Sequence, residues 1–176
     1  GLLDLKVTDG HADLNKVGIH QGGAMNLLVA GGNTTMDAVE VSGNMSADTP
    51  GGTVVMNNVD VKSTGTLTVT TSDGDITMLG MSVSGSMTAT TDAGTIIINT
   101  SNINSTGTLN VETGSGDIAL NGVNVGGNMS ADTQTGNLAL NDVNIISGGA
   151  LGVETDQGDV TVDKVTVDGT LQVTAS

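Results

Sequence analysis

Gly116-Asp117-Ile118-Ala119-Leu120-Asn121-Gly122-Val123-Asn124-Val125-Gly126-Gly127-Asn128-Met129-Ser130-Ala131 contains three short runs in which every second residue is aliphatic, separated from one another by glycine and asparagine. Alternation at period two is the pattern of a β-strand buried on one side, and no run has the spacing of a helix face. The same unit recurs along the whole chain. A glycine opens each copy at Gly10, Gly32, Gly52, Gly74, Gly94, Gly116, Gly136 and Gly158, with spacings that alternate 22 and 20. The duplicated unit is therefore a pair of coils, 42 residues long, and the double repeats start at 10, 52, 94 and 136.

The first aliphatic pair of each coil reads Val54/Met56, Ile76/Met78, Ile96/Ile98, Ile118/Leu120, Leu138/Leu140 and Val160/Val162. The second reads Val39/Val41, Val59/Val61, Met81/Val83, Val123/Val125, Val143/Ile145 and Val165/Val167, with Ser101 beside Ile103 as the one polar substitution. A third run precedes the next opening glycine, and it alternates between Met-x-Ala, as in Met45-Ser46-Ala47, and Leu-x-Val, as in Leu67-Thr68-Val69. Three strands per coil predict a triangular cross-section. The fold class expected is all-β: a right-handed parallel β-helix, or β-solenoid, of about eight triangular coils alternating 20 and 22 residues, forming a single domain over 1–176 that belongs to a longer protein or filament. At about 4.8 Å per coil the rod is near 40 Å long. Left-handed hexapeptide and pentapeptide helices need periods of six and five, which are absent.

Local features follow from this alignment. Every Met (25, 36, 45, 56, 78, 81, 87, 129) falls in an inward column. Gly23, Gly43, Gly65, Gly85, Gly107, Gly127, Gly149 and Gly169 stand two residues before the third run, where a corner of positive φ is expected. The 22-residue coils insert two residues just before that glycine, as in Lys62-Ser63-Thr64-Gly65 against Ser42-Gly43. Asn15, Asp37, Asn57, Asn99, Asn121, Asn141 and Asp163 mark the first corner, where stacked amides would bond along the rod.

With its sixteen quoted residues, this repeat resembles the β-strand repeat of large bacterial exoproteins of the filamentous haemagglutinin type. The resemblance covers essentially the whole chain. It implies a right-handed β-helical shaft, an extracellular or bacterial cell-surface location, and a role in adhesion or filament building. The length alternation of the coils departs from that pattern.

Composition restricts function independently. A formal net charge of −15, with four Lys and no Arg, leaves no basic face to neutralise phosphate, so nucleic acid is not an expected partner. No apolar run reaches the length of a membrane span. Phe, Tyr, Trp and Cys are absent, so the interior must be narrow and built from aliphatics and Met, with no disulfides. Solenoid lyases and glycosidases use a basic residue beside acids, or paired carboxylates beneath aromatic platforms. Here the four Lys are scattered at 6, 16, 62 and 164 and no aromatic exists, so no catalytic residues are assigned and an enzyme is not expected. His11 and His20, without a companion Cys or carboxylate triad, read as surface residues.

Two binding alternatives remain in the sequence. Glu112, Asp132 and Glu154 occupy the same outward position in three successive coils, a weak Ca²⁺ site and the one cofactor the residues offer. Their competing reading is a solvated acidic face. Thr68/Thr70 and Thr88/Thr90 form a hydroxyl array two coils deep, the start of an ice-binding surface. The chain opens and closes on third-run residues, Leu3 to Val7 and Leu171 to Val173, without a polar cap. The partners expected are therefore end-to-end copies of itself or flanking coils of the same parent, together with a host or cell-surface ligand. The function expected is a structural or adhesive shaft, with a calcium-dependent binding module or an ice-binding solenoid as alternatives.

Overall fold

A half-buried strand must find partners on both edges, and identical strands one coil apart supply them. In the computed structural model, which describes residues 1–104 and 106–176, the chain is a parallel β-solenoid of about eight turns, with no helix among the described residues. The third runs form one nine-stranded sheet: Leu2–Val7, Ala24–Val29, Met45–Asp48, Leu67–Thr71, Met87–Ala93, Leu109–Ser115, Met129–Thr135, Leu151–Gln157 and Leu171–Ala175. The first and second runs share a thirteen-stranded sheet. In three consecutive coils they fuse into single strands, Ile96–Ile103, Ile118–Val125 and Leu138–Ile145. Each coil thus keeps three inward faces but is hydrogen-bonded as two sheets.

Register is one to one throughout. Met45 pairs with Leu67, Leu67 with Met87, Met87 with Leu109 and Leu109 with Met129, while Ala47, Val69, Ala89, Val111 and Ala131 run alongside. A large and a small side chain in one coil face two of medium size in the next, which holds core volume constant. All eight Met lie in the core, none more than 3% exposed. Ser101, the polar intruder, is satisfied: its hydroxyl donates to the Asn99 carbonyl at 3.0 Å and accepts from the Met81 amide at 3.4 Å.

Corners carry the findings the sequence did not predict. The junction of first and second runs is a single left-handed residue in every coil: Lys16, Ala38, Asn58, Gly80, Thr100, Gly122, Asp142 and Lys164, with φ between 48° and 68°. One such residue puts two successive side chains outward and turns the chain around the core. Six of the eight carry a Cβ, at a cost on the order of 1 kcal/mol each.

The glycines before the third run, expected to need positive φ, do not have it. Their requirement is close approach. A Cβ added at Gly43, Gly65, Gly85, Gly107, Gly127, Gly149 or Gly169 would sit within 3.0 Å of a backbone carbonyl oxygen in the preceding coil, and the opening glycines from Gly32 to Gly158 face the same obstacle. Two columns of bare backbone therefore run the length of the rod. Positive φ belongs instead to the inserted pairs, Gln21-Gly22, Ser63-Thr64 and Ser147-Gly148. These are two-residue turns closed by amide-to-carbonyl bonds, Gly65 to Lys62 at 2.9 Å and Gly149 to Ile146 at 3.2 Å, with both central residues left-handed as in type I′.

A further inward column closes the core beside the opening glycines. Thr49, Thr71, Thr91, Thr113, Thr133 and Thr155 are buried at the end of the third strands. The hydroxyls of Thr71, Thr91, Thr113, Thr133 and Thr155 donate to the carbonyls of Gly52, Gly74, Gly94, Gly116 and Gly136 at 2.8 to 3.1 Å. Thr49 instead bonds the Thr34 hydroxyl at 2.7 Å. Among the described residues no buried side-chain polar atom lacks a partner.

Candidate functional site

The outer face of the nine-stranded sheet holds the acidic residues predicted as a cation site. Strand register places Glu112 beside Asp132 and Asp132 beside Glu154, so the three carboxylates do stand in successive coils on one face. They form a line, not a convergence: parallel strands point all three side chains the same way, about 4.8 Å apart. Among the described residues no group of three or more His, Cys, Asp or Glu is arranged to hold a metal ion.

Beside the acids lies a shallow notch lined by Ser130, Asp132, Gly152, Glu154, Gln172 and Thr174. Its origin is local. The neighbouring outward column runs Asn110, Ser130, Gly152, Gln172, and the missing side chain at Gly152, where an added Cβ would meet nothing within 4 Å, leaves the floor open. The hydroxyl array lies further along the same face. Thr68 pairs with Thr88 and Thr70 with Thr90, and Thr70 donates to the Asp48 carboxylate at 3.1 Å. Asp48 on one side and Glu112 on the other end the array after two coils.

Other polar columns are engaged in holding coils together. Next to the opening glycine, Asn33, Asp75, Asp117 and Asn137 each accept the backbone amide one coil further on, from Thr53, Thr95, Asn137 and Asp159, at 2.7 to 3.0 Å. His11 heads this column. Its Nδ1 accepts the Asn33 amide at 2.9 Å, so the ring serves the same end as the amides and carboxylates that follow it. Asn44, Ser86 and Asn128 play the same part before the third strand, accepting the amides of Thr66, Thr108 and Ala150. In the first-corner column Asn141 donates to Asn121 at 2.9 Å, as stacked amides should, but Leu79 takes that position in one coil and stands 45% exposed.

The chain's densest ion pairing lies near the other end. Lys62 Nζ is 2.8 Å from Glu40 and 3.5 Å from Asp60, and His20 Nδ1 is 3.6 Å from Glu40. The hydrogen bond from Lys62 lowers the Glu40 pKa below 4.5, and the same bond raises that of Lys62 above 10.5. His11 and His20 do not meet in a common site.

Sequence reasoning missed the buried threonines. A signal existed, because the third run continues as Met-x-Ala-x-Thr or Leu-x-Val-x-Thr in coil after coil, but a hydroxyl in an inward position reads as the end of a strand until a carbonyl is found opposite it. Compared with known protein families, with curated proteins and with solved structures, the chain matches none.

Proposed function

We propose that this chain is a rigid shaft in an extracellular bacterial surface protein or filament, with a structural or adhesive role and no catalysis. The observation that supports it is the unbroken one-to-one ladder from Leu2–Val7 to Leu171–Ala175, which makes length the property this sequence specifies most strictly. Polar side chains such as Asn33, Asp75, Asp117 and Asn128 accept amides of the adjoining coil and are not gathered toward a ligand. The surface location rests on the resemblance of the repeats. End-to-end partners, whether further coils of the same parent or a second copy, belong to the same reading.

The test removes residues 52–93, one whole double repeat, so that Gly51 runs directly into Gly94. Phase, loop alternation and core pairing are all preserved across that junction. Wild type and the deletion are displayed on cells through the same anchor and tip, and the height of the tip is measured. A shaft shortens by about 10 Å and leaves capture by the tip intact. If instead capture of host cells by the untipped solenoid is strong and vanishes with the two coils, the coils are themselves a receptor and the shaft reading is wrong.

A further inference from the structure

We propose that the outer face of the thirteen-stranded sheet, over residues 76–145, is a lateral interface through which two copies of this rod pair side by side. The inference stands apart from the shaft reading and rests on where charge is missing. Across the strand pairs of this stretch, Ile76–Leu79 with Ser82–Val83, then Ile96–Ile103, Ile118–Val125 and Leu138–Ile145, the only charged residue is Asp142. The chain as a whole carries −15, and the same face is charged on both flanks, by Asp37, Glu40 and Asp60 in earlier coils and by Asp163 and Lys164 in the last. The face's own carboxylates are few: Asp142 at the corner, and Asp75 and Asp117 at the edge beside the opening glycines, each of these two already accepting an amide of the next coil.

What fills the gap is self-complementary. Asn99, Asn121 and Asn141 lie in register in successive coils, and Asn102, Asn124 and Asn144 form a second such row. Each amide both donates and accepts, so a row facing its own copy across a two-fold axis finds partners without a change of chemistry. Beside the rows, Ile97, Ala119 and Ala139 supply a low apolar strip on which no long side chain blocks approach. Charge depletion with small apolar and amide groups is the composition of an interface centre.

Size sets the strength. Four coils of about 4.8 Å, each with about eight residues at 3.3 Å, hold roughly 500 Å² per copy, but the left-handed residues Gly80, Thr100, Gly122 and Asp142 bend the face between the two runs, so a flat contact takes about half of that from each copy. That lies below the size of a standard interface, so the pair is weak and reversible, and it tightens when salt screens the repulsion between the remaining acids.

Sedimentation equilibrium of the full chain, from 10 µM to 1 mM in 50 and 500 mM NaCl, decides it. A monomer–dimer equilibrium is expected, with association at least tenfold weaker at 50 mM than at 500 mM NaCl. Asn121→Asp with Asn124→Asp places like charges across the two-fold axis while keeping an acceptor at 121 for Asn141, and is expected to weaken dimerisation at least tenfold at 50 mM NaCl with an unchanged far-ultraviolet spectrum. Asn110→Asp on the opposite sheet is expected to leave it unchanged. Monomers alone at 1 mM in 500 mM NaCl, association indifferent to the double substitution, equal weakening by Asn110→Asp, or open-ended growth beyond the dimer each overturn the proposal.

Discussion

Replacing Gly74 by Ala tests the glycine columns against the conformational role that the sequence assigns to glycine. Gly74 has no positive φ, so Ala is free of backbone strain there; the obstacle is the backbone of Gly52 and Thr53, all within 3.0 Å of the new Cβ. Backbone on both sides cannot swing away as a side chain would, so the two coils must part locally. Overpacking of this kind costs about 1–3 kcal/mol. The carbonyl struck is that of Gly52, which accepts the buried Thr71 hydroxyl at 2.8 Å, and disturbing that bond adds about 1–3 kcal/mol. A total of about 2–6 kcal/mol is expected. Gly152→Ala is the matched control: φ is again not positive, open space surrounds the new methyl, and reduced freedom of the unfolded chain stabilises by about 0.5–1 kcal/mol. Urea unfolding followed by circular dichroism measures both, since the chain has no Trp for fluorescence. A loss below about 1 kcal/mol at Gly74, or an equal loss at Gly152, would refute the close-approach argument.

Three further outcomes are expected. Ser63→Asn with Thr64→Gly supplies the residues a two-residue type I′ turn favours, at positions now held at φ 54° and 63°, and should raise stability by about 1 kcal/mol in the same urea assay. Asp132→Asn removes a carboxylate flanked on both sides and should raise the melting temperature at 20 mM salt, with the gain gone at 500 mM; calcium should stabilise wild type no more than sodium at matched ionic strength, and a calcium-specific increment abolished by the substitution would instead establish the cation site. Because Glu40 titrates below its usual value and Lys62 above its own, their pairing is fully present between about pH 5 and 10, fading as pH falls through the lowered Glu40 pKa or rises through the raised Lys62 pKa. The melting-temperature deficit of Lys62→Met should therefore be largest near pH 7 and shrink at pH 3 and pH 12; a deficit independent of pH would mean that Lys62 acts only through its aliphatic stem.

Strand positions, the Met columns and the place of the inserted pairs were all legible in the residues, because burial at period two and duplication at period 42 leave regular marks. Corners were not. The left-handed column is filled by Lys, Ala, Asn, Gly, Thr and Asp, a set with no common side-chain chemistry, since the position is dictated by the path of the chain and not by a preference of its residue. Glycine was recognised but given the wrong cause: crowding by the coil before it cannot be seen from a residue's own neighbours. At the acidic face the register of Glu112, Asp132 and Glu154 was readable. The notch was not, because its meaning depends on Ser130 and Gln172, twenty or so residues to either side of Gly152.

The alternation of long and short loops has a consequence for any fibre in which such rods lie aligned. Strands repeat every coil, at about 4.8 Å along the axis, but the Ser63-Thr64 and Ser147-Gly148 turns recur only every second coil. Electron density along the axis is therefore modulated at twice the strand spacing. Oriented fibres should diffract on the meridian at about 9.6 Å as well as about 4.8 Å, a superlattice reflection that a cross-β fibre of equivalent strands does not produce on that axis.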